Sequence, residues 1–330
     1  MHGALILKPE AEDTLKIFSG VALDLEGTLV DLESLHHRAH REVAGALGIT
    51  LPDSVDEIMR QVPSFVGGPD TAVMEQLLEL ARKNPGSGDL LKAWNVGKMI
   101  ELKDAIFDGM FSEAVFRPRE GSARLIQMVS QLGVPYTICS VTRSTQAGII
   151  IDRSGLREML YGNPVLLRHD VKHGKPSPDV YQLAAKEMNI SPSGLLVFED
   201  SPTGVKAAVA AGATVFAVPA VVGEGNKPTE LMVKTLTESG AARVFDNWNE
   251  VVKYIENNTY IYLEGVRNNR GDTFSVSDAE GRVTGTLVKA FGAKSLLESG
   301  YSAKQPENFR INGDSDTPAG TAFARRPEVN

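Results

Sequence analysis

The feature that most restricts the fold of this chain is an apolar run followed by two acids. Val21-Ala22-Leu23 has the character of a buried strand, and Asp24-Leu25-Glu26-Gly27-Thr28 follows it directly. Because side chains alternate along extended backbone, Asp24 and Glu26 point to the same side. Gly27 permits a tight turn whose free backbone N–H groups can bind an anion. The segment is compatible with an ordinary polar turn, but it also offers a nucleophilic carboxylate beside a phosphate-binding loop.

Apolar strand-like runs alternate with helical patterns, which predicts an α/β fold with a doubly wound, mainly parallel sheet. The predicted strands are Val21 to Leu23, Pro135 to Cys139, Leu195 to Phe198 and Thr214 to Val218, and predicted helices include Gly121 to Leu132 and Pro202 to Ala211. In such sheets ligands bind beyond the carboxyl ends of the strands. Asp24, Ser140 and the pair Glu199-Asp200 each follow a predicted strand. We therefore expect them to meet at one edge.

Residues 33–112 interrupt this alternation with helical patterns. Leu35 to Leu47, Thr71 to Arg82 and Leu90 to Phe111 carry apolar residues at helical spacing, with Pro- and Gly-rich breaks between them. We predict a core formed by residues 1–32 and 113–255 and an all-helical cap over residues 33–112. An insert at this point would act as a lid over the strand ends or would be an ordinary helical subdomain.

Length and charge restrict the kind of partner. The 330 residues carry a formal net charge of −8 and are 42% apolar, which is enough for a full core. The acidic balance argues against nucleic-acid or anionic-membrane binding, and no run is long enough to span a bilayer. Cys139 is the only cysteine, which excludes an internal disulfide and a cysteine-rich zinc site. Residues 1–18 lack a signal-peptide pattern, so we expect a cytoplasmic protein, a monomer or homodimer, that acts on a small molecule.

Two further segments supply residue types suited to phosphate and metal. In Gly174-Lys175-Pro176-Ser177-Pro178 the prolines hold Lys175 on a stiff turn, where its ammonium can neutralise a phosphoryl group, although most single lysines are simply solvated. In Val197 to Gly204 an apolar strand ends on Glu199 and Asp200. Hard oxygen ligands of this kind suit Mg²⁺, so Asp24 and Asp200 are predicted to share a magnesium ion.

Four ordered signatures resemble those of the haloacid dehalogenase superfamily, in the branch of β-phosphoglucomutases and phosphosugar phosphatases with a helical cap. They are Asp24 to Thr28, Ser140 after Thr137 to Cys139, Gly174-Lys175-Pro176, and Glu199-Asp200-Ser201 with Gly204. The resemblance covers about residues 18–255. It implies a Rossmann-like core with a helical cap inserted after the first strand, and a Mg²⁺-dependent enzyme that acts on a small phosphate ester.

The resemblance also implies roles for single residues. Asp24 would attack phosphorus to give an aspartyl-phosphate, and Glu26 would protonate the leaving oxygen and then activate water, while Lys175 assists catalysis. The implied phosphate-binding residues are Ser140, Val141, Lys175, Gly27 and Thr28. The implied metal site comprises Asp24, Glu26 through its backbone carbonyl, Glu199 and Asp200. The implied substrate and cap residues are His36, Arg60, Gly67 and Gly68.

Two departures from the family pattern leave more than one activity open. Glu26 stands where most of these phosphatases have Asp, and Leu32 stands where a Ser or Thr is usual. Glu26 would serve as a working acid, slow hydrolysis of the intermediate, or mark a lost activity; we favour the first because the nucleophile, the lysine and the metal acids remain. The loop around Gly67 and Gly68 lacks the basic neighbours with which mutases hold a second phosphate, and Arg60 is the nearest cation. A phosphatase is therefore favoured over a phosphosugar mutase and over an impaired, regulatory phosphometabolite-binding protein.

Two histidines in the predicted cap lie one helical turn apart. His36 and His40 have the spacing of a metal-binding pair, but no third ligand with compatible spacing is evident. Solvent-facing histidines are therefore favoured over a metal site.

Residues 256–330 lie outside the resemblance. Thr259 to Leu263, Thr273 to Ser277 and Val283 to Val288 predict three short strands of a small β-meander. From about Ser302 onward the composition turns to Gly, Pro, Asp, Ser and Thr, which predicts a mobile tail. This extension would dock on the core or mediate self-association.

Overall fold

Strands in two sheets form the frame of the part of the chain that the structure describes. The structure is a computed structural model, and it describes residues 4–7, 14–88, 90–160, 162–220, 227–264, 274–277, 283–291 and 321–323. The strands are β1 (Leu5–Leu7), β2 (Thr14–Phe18), β3 (Gly20–Leu23), β4 (Tyr136–Cys139), β5 (Val165–Leu166), β6 (Leu195–Glu199), β7 (Thr214–Ala217), β8 (Arg243–Val244), β9 (Thr259–Glu264), β10 (Phe274–Ser277), β11 (Val283–Lys289) and β12 (Thr321–Phe323).

The α-helices lie between and around these strands. They are α1 (Glu33–Ala46), α2 (Val55–Gln61), α3 (Asp70–Arg82), α4 (Val96–Glu113), α5 (Ser122–Gln131), α6 (Ser144–Arg153), α7 (Leu156–Met159), α8 (Asp179–Glu187), α9 (Pro202–Ala210), α10 (Glu230–Glu238) and α11 (Trp248–Asn258). Several begin at a side-chain cap; Ser201 Oγ, for example, accepts a hydrogen bond from Gly204 N at the start of α9. None of the helices within the described ranges is both long and apolar enough to cross a membrane.

The first sheet is parallel, with the order β5-β4-β3-β6-β7-β8, and it confirms the predicted doubly wound α/β class. The strand order reverses at β3, so a crevice opens at the carboxyl ends of β3 and its neighbours. Leu23 pairs with Ile138 of β4 and with Phe198 of β6. The residues that follow these three strands therefore reach the same edge of the sheet.

Helices α1 to α4 follow β3 and lie in the segment predicted as an all-helical cap. Apolar side chains of this segment, among them Val43, Leu77 and Met99, belong to one cluster with Val197 and Val205 of the parallel-sheet unit. Burial of this shared apolar surface holds the cap against the sheet. The residue boundaries predicted for core and cap remain a prediction.

The second sheet is antiparallel, with the order β10-β11-β9-β1-β2-β12. Each of the three segments predicted to form a β-meander contains a strand, and β11 pairs with both β9 and β10. Strands β1 and β2 join this sheet instead of the parallel one, because β1 pairs with β9. The N-terminal segment that the sequence grouped with the core thus contributes to the sheet of the C-terminal extension. The predicted tail from Ser302 lies outside the described residues except for β12.

Candidate active site

Three carboxylates meet at the carboxyl edge of the parallel sheet. Asp24 follows β3, Glu199 ends β6, and Asp200 follows it. One oxygen from each lies within 4.8 Å of the others, and all three residues are buried. Register explains the meeting, because Asp24 N donates to Phe198 O of the neighbouring strand over 3.1 Å.

The Lys175 ammonium lies between two of these acids. Its Nζ is 2.5 Å from Asp24 Oδ1, 2.6 Å from Glu199 Oε1 and 3.2 Å from the carbonyl oxygen of Cys139. Burial by itself would lower the pKa of Lys175, but the two carboxylates outweigh burial and raise that pKa above its ordinary value. Lys175 is therefore a permanent positive charge beside the predicted nucleophile.

The Glu199 carboxylate is saturated with hydrogen-bond donors. Its Oε1 accepts from the Lys175 ammonium and from the Tyr181 hydroxyl at 2.6 Å, and its Oε2 accepts from Asp200 N, Ser201 N and Ser201 Oγ at 3.1, 3.3 and 3.2 Å. It lies against the first turn of α9, where a Cβ on Gly204 would collide with it. Both oxygens are thus occupied by protein donors, and we infer that Glu199 orients Lys175.

The loop after β3 is pressed against Asp200. Gly27 has a φ of +78°, and a Cβ at this position would collide with Asp200 Oδ2, so the close approach requires glycine. Thr28 Oγ1 donates to Asp200 Oδ1 over 2.9 Å. The sequence assigned Gly27 and Thr28 to phosphate binding, whereas the structure places the Thr28 hydroxyl on the acid at the end of the neighbouring strand.

Crowding of buried acids shapes the charge state of the site. Burial, opposed by Lys175 and reinforced by Glu199, raises the pKa of Asp24 to about 7. Burial and the neighbouring Glu199 and Asp24 raise the pKa of Asp200 well above its ordinary value. A divalent cation among these oxygens would hold both aspartates as anions, and hard carboxylate oxygens are the ligands that Mg²⁺ and Ca²⁺ prefer. The donor set of Asp24 and Asp200 therefore fits a divalent cation.

Glu26 lies in the loop after β3 and lines the cavity between the sheet and the cap. Its Oε2 lies 3.6 Å from His36 Nε2, and His36 stacks on Phe107 of α4 with ring centroids 4.3 Å apart. Among the described residues, Glu26 Oε1 is buried and has no hydrogen-bond partner. This oxygen is therefore available to accept a hydrogen bond from a bound molecule. Within the described ranges, the group of carboxylates close enough together to hold a metal ion is Asp24, Glu199 and Asp200, without the Glu26 side chain.

A cavity of about 360 Å³ opens between the strand ends and the cap. Of the residues predicted from the sequence, those lining it are Asp24, Glu26, His36, Gly67, Gly68, Ser140, Val141, Lys175 and Asp200. Ser140 is buried at the end of β4, and its Oγ accepts a hydrogen bond from Thr142 N over 3.2 Å. Arg60 is exposed near the end of α2 and is not among the residues that line this cavity in the described part of the chain.

The cap contributes an ionic cluster that the sequence did not reveal. Asp70 Oδ1 is 3.0 Å from His40 Nε2, and Asp70 Oδ2 accepts from Lys103 Nζ over 2.8 Å. These hydrogen bonds outweigh burial and hold the pKa of Asp70 well below its usual range. His40 is 3% exposed, so the prediction that it faces solvent was wrong. The separations of 30 and 33 residues along the chain left no local signal for this cluster.

Polar contacts also join the cap to the sheet unit across the mouth of the cavity. Arg143, just before α6, forms ion pairs with Asp104 and Asp108 of α4. Gln146 Nε2 donates to Asp108 Oδ1 over 2.9 Å. On the loop side, a Cβ on Gly67 would collide with Ser201, so cap and core are in direct contact there. Contacts between the cap and the sheet unit are thus present on two sides of the cavity.

Comparisons with known proteins agree with this geometry. The family model of haloacid dehalogenase-like hydrolases matches residues 18–212. A phosphorylated carbohydrates phosphatase of Thermotoga maritima is 28% identical over 193 residues, which are 58% of this chain and 81% of that protein. A fructose-1-phosphate phosphatase of Escherichia coli is 26% identical over 195 residues, which are 59% of this chain and 93% of that protein.

Solved structures show the same similarity. A haloacid dehalogenase family hydrolase from Deinococcus radiodurans, with bound phosphate and sodium, is 26% identical with a TM-score of 0.51 and covers 71% of this chain and 93% of its own. A haloacid dehalogenase-like protein from Agrobacterium tumefaciens has a TM-score of 0.57 at 20% identity, over 72% of this chain and 97% of its own, which supports the fold alone.

Proposed function

Because the chain belongs to the haloacid dehalogenase-like hydrolase family, we propose that it is a Mg²⁺-dependent phosphatase of small phosphorylated metabolites that works through an aspartyl-phosphate. The observation that carries the proposal is the meeting of Asp24 with Lys175 and Asp200 at the floor of one cavity. A nucleophile, a fixed cation and a second metal-binding acid are the parts that phosphoryl transfer to a carboxylate requires.

Asp24 would act as the nucleophile. One of its carboxylate oxygens would bond to phosphorus while the ester P–O bond breaks and the electron pair leaves on the ester oxygen. Lys175 Nζ, 2.5 Å from Asp24 Oδ1, favours the ionised carboxylate and can donate to a phosphoryl oxygen. Ser140 and the backbone N–H groups after β4 would hold the remaining phosphoryl oxygens.

A divalent cation held by Asp24 and Asp200 would supply neutralisation of the phosphoryl charge. Thr28 keeps Asp200 in position for this by donating to its Oδ1 over 2.9 Å. Glu199 keeps Lys175 in position through the 2.6 Å contact with its ammonium. The rigid hydrogen bonds of Thr28 and Glu199 mean that little reorganisation is needed when substrate arrives.

Glu26 would serve as general acid and then as general base. In the first half-reaction its carboxyl proton goes to the leaving alkoxide. In the second, its carboxylate takes a proton from water, the water oxygen bonds to phosphorus, and the bond between phosphorus and Asp24 breaks to release inorganic phosphate. The buried Oε1 of Glu26, which lies at the cavity and has no hydrogen-bond partner in the described part of the chain, supports this role.

The cavity favours a small monophosphate as substrate. Its volume of about 360 Å³ suits a ligand at the lower end of the usual range for small-molecule sites. Within the described residues, two cations at the cavity are already paired, Lys103 of the cap with Asp70 and Arg143 of the sheet unit with Asp104. A second phosphate would have to compete with these carboxylates, so hydrolysis of sugar, polyol or nucleotide-derived monophosphates is favoured over a mutase reaction. Two relatives named as sugar-phosphate phosphatases support this class.

The test is release of inorganic phosphate by the purified full chain from a panel of sugar and polyol monophosphates, with Mg²⁺ and with EDTA. We expect turnover that requires Mg²⁺ and that Asp24→Asn lowers by at least about a thousandfold, with the circular dichroism spectrum unchanged. Isomerisation of a phosphosugar without phosphate release would favour the mutase. Binding of these esters without turnover, at the same affinity in wild type and Asp24→Asn, would favour the regulatory alternative.

A further inference from the structure

An arginine that the catalytic scheme does not use lies behind the acid cluster. Arg119 precedes α5, and its backbone N donates to Leu29 O over 2.7 Å. Its guanidinium points inward and spans two separate loops of the carboxyl edge. Nη1 donates to Gly27 O at 2.6 Å, to Thr28 O at 3.4 Å and to Val218 O at 2.8 Å, and Nη2 donates to Pro219 O at 2.7 Å.

Of the two loops that Arg119 joins, one contacts Asp200 and the other bonds to the main chain of Glu199, the residue before it. Gly27 and Thr28 belong to the loop after β3, where Gly27 abuts the Asp200 carboxylate and Thr28 donates to it. Val218 follows β7, and its N donates to Glu199 O over 2.7 Å. Arg119 therefore ties the loop that contacts Asp200 to the loop that is bonded to the neighbouring residue Glu199.

The charge of Arg119 is directed at the same place. In the described part of the chain its side-chain hydrogen bonds all go to main-chain carbonyls, and the carboxylates that act on it electrostatically are Asp200 and Asp31. A planar guanidinium can serve several carbonyls at fixed angles, which a lysine ammonium cannot reproduce. The residue thus combines a geometric clamp on two loops with a positive charge near Asp200.

We propose that Arg119 is a positioning residue for the divalent-cation site, which fixes Asp200 by clamping the loops of Gly27-Thr28 and Val218-Pro219. The inference rests on the proposed function, because it concerns the acid assigned there to the cation. It adds a residue outside the four signature segments, and one that touches neither the cavity nor the carboxylates. Partners of metal-binding groups commonly contribute 10- to 100-fold to metal affinity.

The test measures Mn²⁺ binding directly, by the loss of the free-ion EPR signal, in wild type, Arg119→Lys, Arg119→Ala and Arg117→Ala. Arg117 lies two residues earlier and is exposed, so its substitution is the matched control. We expect the Mn²⁺ dissociation constant to rise about 10- to 100-fold in Arg119→Ala, to rise less in Arg119→Lys, and to stay at the wild-type value in Arg117→Ala. If Arg119→Ala does not fold, Arg119→Lys must still bind Mn²⁺ at least about threefold more weakly than wild type. The lysine ammonium cannot bond to both loops as the planar guanidinium does.

A double-mutant cycle separates positioning from a general structural role. In a Thr28→Val background, where the hydrogen bond to Asp200 is already lost, Arg119→Lys is expected to weaken Mn²⁺ binding less than it does in wild type. Wild-type Mn²⁺ affinity in any folded Arg119 variant, or full additivity in the cycle, would overturn the inference while leaving the proposed function intact. A wild-type protein that does not bind Mn²⁺ would overturn both.

Discussion

Thr28 and Asp200, 172 positions apart in the chain, are joined by a buried hydrogen bond of 2.9 Å from Thr28 Oγ1 to Asp200 Oδ1. This bond connects the loop that follows Asp24, the proposed nucleophile, to the acid just after the neighbouring strand. The bond thus joins the two chain segments that carry the acids of the candidate metal site. Cation binding at Asp200 is therefore tied to the position of Asp24.

Thr28→Val should weaken the metal site while preserving the shape of the side chain. Asp200 loses a donor that fixes its orientation, so we expect the Mg²⁺ concentration for half-maximal activity to rise about tenfold. Thr28→Ser keeps the hydroxyl and is the matched control, with an expected change below about threefold. Phosphate release measured across a Mg²⁺ titration checks this; equal half-maximal concentrations for the Val and Ser variants would contradict it.

Glu26→Gln should lower kcat by about 100- to 10,000-fold, because the amide cannot give a proton to the leaving group or take one from water. Glu26→Asp should lower kcat by about a hundredfold, since the carboxyl retreats by about 1 Å from the reacting oxygen. Asp31→Asn is the control, as Asp31 is an exposed acid in the same segment. Steady-state phosphate release measures all three. An Asp variant much faster than wild type would show that Glu26 is a brake on hydrolysis.

His40 should make the stability of the protein depend on pH. Burial, only partly opposed by Asp70, lowers the pKa of His40. Between that lowered value and the unfolded value of about 6.5, the unfolded chain binds more protons than the native chain. The contribution of neutral His40 to the free energy of unfolding is therefore fully present above about pH 6.5. It is lost as the pH falls through the pKa of His40 in the native protein. The charged or titratable groups that act on the His40 ring are Asp70, Lys103 and His36.

The measurement is the melting temperature at pH 7.5 and at pH 5.5 for wild type and His40→Gln. We expect the melting temperature to fall further between pH 7.5 and pH 5.5 in wild type than in His40→Gln, because glutamine does not titrate. The same loss in both proteins would assign the pH dependence to other groups.

Asp108→Ala should loosen the contact between α4 and α6 with only a small effect. Arg143 is 54% exposed and retains Asp104 as a partner, and exposed ion pairs contribute about 1 kcal/mol or less. We expect KM to rise no more than about fivefold, with the difference from wild type shrinking at high salt. The control is Asp152→Ala, which removes an exposed ion pair with Arg157 in the sheet unit, where the cap is not involved. A change above about twentyfold would show that Asp108 has a role beyond the surface pair.

The strand ends were predictable because they follow from local pattern. Short runs that are mostly apolar, such as Leu195–Glu199, predict buried parallel strands. The residues that follow such strands lie at the same edge of the sheet. The sequence therefore predicts that Asp24, Ser140 and Asp200 lie at one edge of the sheet. The prolines around Lys175 predict a fixed lysine suited to a phosphoryl group, but nothing local indicates that it lies between Asp24 and Glu199.

The pairing of the two chain ends in one antiparallel sheet was not predictable in the same way. The apolar triplet of β1 (Leu5–Leu7) fits a parallel or an antiparallel neighbour equally well, and its partner β9 lies at the other end of the chain. Local periodicity states which residues are buried, but not which distant strand supplies the hydrogen bonds.

The sequence alone determined the class of fold and the residue types at the strand ends, because hydrophobic period and turn chemistry act over a few neighbouring positions. Only the tertiary structure decided that Glu199 is saturated by protein donors, that Thr28 bonds to Asp200, that His40 and Lys103 hold Asp70, and that Arg119 joins the loops around the acids. Each of these contacts joins groups whose approach depends on the packing of whole elements. Side-chain partners at long range are set by that packing, and no local segment encodes it.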